Sequence, residues 1–459
     1  MSAEVSTETD ESVRIPPSGF RPGAAITEWF PEDLAFWERD GARTARRNLI
    51  LSILAEHLGF SVWSMWSVFV LFMGPSYHVD TAGKFYLTTL PTAVGAVLRL
   101  PYTFAVARFG GRNWTVFSAS LLLIPCLLLA FLLKPGVSYS TLMIIATVGG
   151  VGGGNFASSM ANINAFYPER LKGAALGLNA GGGNIGVPAV QLIGLLVLAT
   201  AGIAHPRLIL AVYIPLIVLA TVGAGVGMNN LTHLRNDKHA MRDVAKDRHT
   251  WIISMLYIGS FGSFIGFSFA FGQVLTVQFK DTPRQAADLV WLGPLIGSLI
   301  RPAGGWLADR VGGARVTFWN FVAMAAAAGV VLTASQHKSL PVFVTGFLLL
   351  FAFSGVGNGS TYKMIPAVFR AKARTATAAG ADPVAADREA RRLAGALIGI
   401  AGAVGAFGGA VINFSLRESF LADKNGNAAY IAFLAFYALC CVVTYAVYLR
   451  KSPNRLMNI

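Results

Sequence analysis

Twelve apolar stretches of about twenty residues each set the terms for this chain. They run over 49–73, 84–107, 115–133, 140–166, 173–200, 208–230, 251–275, 289–308, 315–335, 340–369, 393–416 and 428–449. An α-helix rises about 1.5 Å per residue, so each is long enough to cross a hydrocarbon core roughly 30 Å thick. Only 13% of the 459 side chains are charged, where a soluble domain carries about 25%. The pattern predicts an all-α membrane protein of twelve transmembrane helices. The longest polar run between spans, 231–250, divides them into two six-helix halves. The expected organisation is a tail over 1–47, a bundle over 48–230, a linker over 231–250, a second bundle over 251–450 and a tail over 451–459.

Loop charge fixes the expected orientation. Basic residues crowd alternate loops: Arg43, Arg46 and Arg47; Arg108 and Arg112; Arg170 and Lys172; the 235–248 run; Arg310 and Arg315; the 370–392 run; and Arg450 onward. The opposite loops carry few. Positive-inside then places both termini in the cytoplasm of a multi-pass protein of the cell (inner) membrane. Most of the basic excess behind the formal net charge of +14 follows from this topology, so nucleic acid is not an implied partner. The polar start lacks the basic-then-apolar order of a signal peptide. Residues 1–26 are expected to be disordered, and Phe30, Leu34 and Trp37 are spaced as one face of a short interfacial helix over 27–42. The Ala-rich segment 370–392 reads as a solvated loop, with a flexible gate or a regulatory site as the sharper alternative. Cys126, Cys440 and Cys441 fall in apolar spans without metal spacing, and no cofactor is implied.

An internal repeat marks the functional centre. Arg99 lies in LRLPYTFAVARFGGR and Arg301 in LIRPAGGWLADRVGGAR. Each is followed nine residues later by a second arginine, Arg108 or Arg310, and then by a Gly-Gly pair. Nine helical residues rise about 13.5 Å, which puts Arg99 and Arg301 near mid-membrane if the second arginines mark the surface. A charge there costs about 2.5–3.5 kcal/mol on insertion scales. Two such guanidiniums at equivalent depth repel each other, and a bound anion relieves that repulsion. The planar fork of arginine suits a flat oxyanion. Gly173, Gly177, Gly183 and Gly186 of span five match Gly395, Gly399, Gly405 and Gly408 of span eleven at the same mutual spacing. Spans two and eight, and five and eleven, therefore correspond.

Six-plus-six helices with parallel repeats are the layout of the major facilitator superfamily, and GGWLADRVGGAR resembles its cytoplasmic loop motif. That resemblance implies a gating role for Asp309, Arg310 and Arg315, with Arg108 and Arg112 at the repeated position. The stretches GNFASSMANINAFYP, GLNAGGGNIGVPAVQ and GALIGIAGAVGAFGGAVI are similar to the signatures of the nitrate/nitrite porter (NarK-type) family within that superfamily. The resemblance covers about residues 26 to 450. It implies a monomeric transporter of nitrate and nitrite. By position it implies substrate-binding roles for Arg99, Arg301, Asn184 and Tyr257, and an aromatic sandwich of Phe156 and Phe261. Read without it, both phenylalanines are core residues. Asn155, Asn162, Asn164, Asn179 and Asn184, each taken singly, read as interhelical glue first, with a ligand role as the sharper alternative.

The chain departs from the family's exchangers in having titratable groups in its spans: Glu56 and His57 in span one, and Lys363 in span ten. Such residues are candidates for proton coupling, with a structural Glu56–Lys363 ion pair, or a Glu56 kept neutral by burial, as the alternative. AEHLGFS looks like the subgroup associated with nitrate–proton symport. The expected function is nitrate import by symport. The alternatives are nitrate/nitrite exchange without protons, transport of another small oxyanion, and a non-transporting anion sensor. No nucleophile–base pair or phosphate loop in context supports an enzyme.

Overall fold

The computed structural model describes residues 19–234, 237–450 and 459. Eleven helices among them are long and apolar enough to cross a membrane. They are α1 (Leu34–Phe72), α2 (Thr81–Phe109), α3 (Gly111–Leu132), α4 (Tyr139–Phe166), α5 (Glu169–Thr200), α6 (Arg207–Gly227), α7 (Arg248–Gln278), α9 (Gly313–Gln336), α10 (Leu340–Ala378), α11 (Pro383–Asp423) and α12 (Asn427–Leu449). The remaining expected span is α8 (Leu292–Val311), preceded by a short helix Pro283–Val290. Its twenty positions include Arg301, Asp309, Arg310, two prolines and four glycines, which lowers its apolarity below that of its neighbours. It still packs in the bundle, with the Gly304 and Gly359 faces pressed against the backbones of α10 and α8. The order is six helices, a polar connection and six helices.

The repeat is structural as well as sequential. Gly110 ends α2 and Gly312 ends α8, both at positive φ (88° and 99°), a region open to glycine and strained for other residues. Arg99 and Arg301 each stand eleven residues before that glycine, so each lies about 16 Å up its helix. These two turns lie on the side that also holds both described chain ends, here called the terminal side.

The two halves close on the far side. Phe85 of α2 stacks on Phe420 of α11 at 5.3 Å, and Thr88 donates to Asn413 at 3.0 Å. Gln273 of α7 donates to the Thr81 carbonyl at 2.7 Å, and Gln191 of α5 to that of Ser268 at 2.9 Å. On the terminal side, methyls built on Gly173, Gly177 or Gly181 of α5, or on Gly395 of α11, would meet nothing.

Several expectations need correction. Residues 19–33 are an ordered strap rather than a disordered tail. Ala25–Ile26 pairs in parallel with Asn230–Leu231, and Asn229 donates to the carbonyls of Arg21 and Ala24. Trp29 donates to the Phe166 carbonyl at the end of α4. The disorder expected over 1–18 lies outside the described residues. No separate interfacial helix forms over 27–42: the helix starts at Leu34, passes through a π turn at Trp37–Gly41 and continues as α1. The reason is Trp37, which is buried against the strap and α4 instead of facing lipid. Segment 370–392 is no long loop. α10 runs on to Ala378, and α11 starts at Pro383 with Asp382 as its N-cap, since alanine-rich sequence favours helix and Asp-Pro is a helix start. Within 231–250 a helix forms over Lys238–Ala245, capped by Asp237.

Candidate functional site

Only three Asp, Glu, Lys or Arg side chains among the described residues are buried: Glu56, Arg99 and Arg301. All sit in spanning helices, so this trio defines the site's electrostatics.

Arg99 is held by backbone and rings. Its Nε donates to the Gly153 carbonyl at 3.2 Å, and Nη1 to the Gly402 carbonyl of α11 at 3.0 Å. The first contact exists because α4 tightens to a 3₁₀ turn over Gly150–Gly154, where a Cβ on Gly153 would lie 2.7 Å from the Gly95 Cα of α2. Four rings surround the guanidinium: Phe156 at 4.5 Å, Phe261 at 4.9 Å, Trp63 at 5.4 Å and Phe60 at 5.9 Å. Aromatic faces attract a cation without neutralising it. Nη2 has no partner.

Arg301 enters from the other half. Its Nη2 donates to the Tyr257 hydroxyl at 3.3 Å, its guanidinium lies 5.7 Å from the Tyr362 ring, and Nη1 is unpartnered. A π turn over Ile258–Gly262 of α7 brings Phe261 onto Tyr257, stacked at 5.1 Å and 10°. The rings thus run Phe156, Phe261, Tyr257, Tyr362 from one arginine to the other. Asn184 of α5 is fully buried with both amide atoms unpartnered, and the Tyr362 hydroxyl is also unpartnered. Buried polar groups are normally paired, so these free donors can take up a ligand. Two cationic forks, an amide and hydroxyls are donors to a small anion.

The structure therefore gathers Arg99, Arg301, Tyr257, Phe156 and Phe261 through direct contacts and buries Asn184 with free donors. The two phenylalanine centroids are 6.1 Å apart and tilted 31°. A flat ion between two rings needs about 7 Å for two van der Waals layers, so the rings must part slightly to sandwich one. Sequence reading passed over Tyr362, Trp63 and Phe60. Tyr362 was the one with a signal, being adjacent to the singled-out Lys363 in a span.

Glu56 and Lys363 do not meet. Lys363 donates to both carboxylate oxygens of Asp309 at 2.9 and 2.7 Å, on the exposed terminal end of α8. The Glu56–Lys363 pair weighed as the alternative does not form, because Lys363 has a nearer acid on the helix beside it. Glu56 instead accepts from Asn179 of α5 at 2.6 Å and from the Ser159 hydroxyl of α4, with Oε1 unpartnered. His57 points elsewhere, to the Gly182 carbonyl at 3.2 Å. Glu56 and Phe60 are four residues apart, so Glu56 lies one turn, about 6 Å, to the terminal side of the ring that touches Arg99. Around the terminal turns, Arg112 donates to the Gly23 carbonyl of the strap, Arg310 stacks 4.0 Å from Trp306, and Arg108 lies 5.4 Å from Phe109. Arg315 stands in the first turn of α9.

Two helical halves closing around a buried, charged, mid-bundle site define a membrane transporter. The sequence pattern of the Major Facilitator Superfamily matches residues 51–411. The chain is 38% identical to "Nitrate/nitrite transporter NarU" of Salmonella typhimurium, over 94% of this chain and 97% of that protein. It is 32% identical to "Probable nitrate/nitrite antiporter NarK2" of Thermus thermophilus, over 94% and 98%. Among solved structures, a D-xylose–proton symporter shares the fold at TM-score 0.66 with 14% identity, covering 88% of this chain and 97% of that one. The chain belongs to the major facilitator superfamily, in its nitrate/nitrite transporter branch. It is a multi-pass membrane transporter and not an enzyme.

Proposed function

We propose that this chain carries nitrate, and with it nitrite, across the cell membrane by alternating access, as nitrate–proton symport into the cytoplasm. The terminal side is then cytoplasmic, in line with the loop charges. Nitrate is flat and monovalent. The free Nη atoms of Arg99 and Arg301, the Asn184 amide and the Tyr257 hydroxyl supply donors to its edge, and Phe156 and Phe261 cover its faces.

The observation that carries the coupling is Glu56, buried one turn from the arginine layer and held by neutral partners only. An empty carrier with Glu56 ionised has two positive charges and one negative. The carrier loaded with a proton and a nitrate has the same net charge, so both forms can reorient at similar electrostatic cost. A carrier without a titrating carboxyl must return with both arginines uncompensated unless a second anion fills it, which is exchange. Unit charges roughly 10 Å apart interact by about 1–2 kcal/mol at an effective dielectric of about 20. A proton on Glu56 and an anion at the arginines therefore favour each other. Nitrate entering a negative-inside cell works against about 2.3 kcal/mol per charge at 100 mV, which a co-transported proton offsets. Asp309–Lys363 and the arginines at 108, 112, 310 and 315 serve the gate at the terminal ends.

Nitrate/nitrite exchange is the second reading, favoured by the antiporter designation of the Thermus relative. The test is nitrate uptake into proteoliposomes under an inward proton gradient with no internal nitrite or nitrate. Symport predicts uptake in the parent, its loss in Glu56→Gln, and preserved nitrate–nitrate exchange in that variant. Uptake that needs internal anion, or is unchanged in Glu56→Gln, returns the protein to exchange.

A further inference from the structure

A second polar space lies on the other side of Glu56. α1, α3 and α4 line a small, partly open cavity with room for about one water molecule. All but one of its lining residues are polar, in a part of the bundle that leucine could fill. Glu56 and Asn155 line it, and the buried Asn155 Oδ1 has no partner. Apart from Ala55, the rest of the wall is hydroxyls: Ser52 of α1, Thr115 and Ser118 of α3, Ser158 and Ser159 of α4. Ser52 is one turn nearer the terminal side than Glu56. Thr115 stands four residues into α3, about 6 Å from its terminal end. From Ser52 the polar line continues to Asn162, whose amide donates to the Ser52 hydroxyl at 3.4 Å. Asn162 in turn lies directly under the α2–α3 turn, where a methyl on Gly111 would overlap it. Toward the substrate, by contrast, Glu56 is screened by Phe60, whose ring abuts Phe156 at 6.1 Å and Trp63 at 5.5 Å. The second half has no such acid, since α7 contains neither aspartate nor glutamate.

We propose that this cavity is a proton port: it connects Glu56 to the terminal side within the N-terminal half, apart from the path the anion takes. The inference rests on the symport reading. The charged and titratable groups that Glu56 senses from the packed elements are Arg99 of α2, Arg301 of α8 and Tyr362 of α10. From α4 and α5 it meets only Ser159 and Asn179. On release the O–H bond of the Glu56 carboxyl breaks and the proton joins water in the cavity. It passes along hydroxyls, each able to accept one proton and donate another, and leaves as hydronium under the α2–α3 turn. The carboxylate left behind keeps its bonds from Ser159 and Asn179. Two separate exits let proton and anion leave without contending for one aromatic-lined route.

The test replaces the two α3 hydroxyls, Thr115→Val with Ser118→Val, in proteoliposomes. Two fluxes are read: nitrate uptake driven by a proton gradient, and exchange of labelled nitrate for internal nitrate. Exchange moves a loaded carrier both ways and needs no proton release. A proton port predicts that gradient-driven uptake falls at least about fivefold while exchange matches the parent, and that Thr115→Ser with Ser118→Thr restores uptake. Unchanged gradient-driven uptake overturns the port. So does an equal fall in both fluxes that the hydroxyl-keeping pair does not separate. If the parent itself shows no gradient-driven uptake, the symport reading has failed and the port falls with it.

Discussion

At the residue scale, Arg99 is fixed by two backbone carbonyls and four rings before any substrate arrives, which keeps its free Nη2 in place. Lysine would keep the charge and lose the fork. Each charge-assisted hydrogen bond contributes about 1.5–3 kcal/mol, so Arg99→Lys is expected to lower nitrate uptake at subsaturating nitrate by at least about tenfold. Tyr362→Phe removes an unpartnered hydroxyl beside Arg301. It is expected to raise the half-saturating nitrate concentration several-fold, about 1 kcal/mol, with the protein's thermal stability unchanged. An unaltered concentration dependence would remove Tyr362 from the site. Both arginines were legible in the sequence because a charge in an apolar span stands out and its spacing to the glycine pair repeats. Tyr362 was not, because a tyrosine in a span is ordinary. The partners of Glu56 were not legible either. Nothing in spacing along one helix tells whether Asn179 or Lys363 comes near it from another.

At the element scale, α5 presses Gly183 against Glu56. A Gly183→Ala methyl would overlap the Oε1 carboxyl oxygen. That substitution is expected to uncouple gradient-driven uptake while exchange persists, a selective loss that simple misfolding would not give. The polar connection behaves differently. Arg392 of α11 donates to Asp237 at 2.5 Å and to Asp243 at 2.9 Å, tying the helix Lys238–Ala245 to the second half. The bond from Arg392 holds the Asp237 carboxyl down at about 2. A lowered carboxyl contributes above its unfolded value and is lost only as pH falls through the folded one, so this tie stays intact from about pH 5 to 8. Asp237→Asn is therefore expected to leave the shape of the transport–pH profile over that range as in the parent, while Glu56→Gln flattens it. Helix count and order were readable from apolar runs. The strap over 19–33 and the extensions of α10 and α11 were not. The strap's partners lie some two hundred residues away at 228–231. The extensions come from alanine-rich sequence whose helicity hydropathy does not report.

At the scale of the whole molecule, the far side is sealed by Phe85–Phe420, Thr88–Asn413 and Gln273–Thr81, while the glycine faces of α5 and α11 stand clear toward the terminal side. Alternating access exchanges these two conditions, and both the empty and the loaded carrier must make the exchange. The charge balance among Glu56, Arg99 and Arg301 governs whether the empty one can. With one proton for each nitrate, the cycle moves no net charge. The most direct measurement is therefore the paired flux of protons and nitrate into proteoliposomes free of internal anion, with the membrane potential set independently of the proton gradient. The account predicts about one proton per nitrate, uptake that follows the proton gradient, and indifference to the potential. Nitrate entry that tracks the potential without proton movement, or that starts only when nitrite is placed inside, would contradict it.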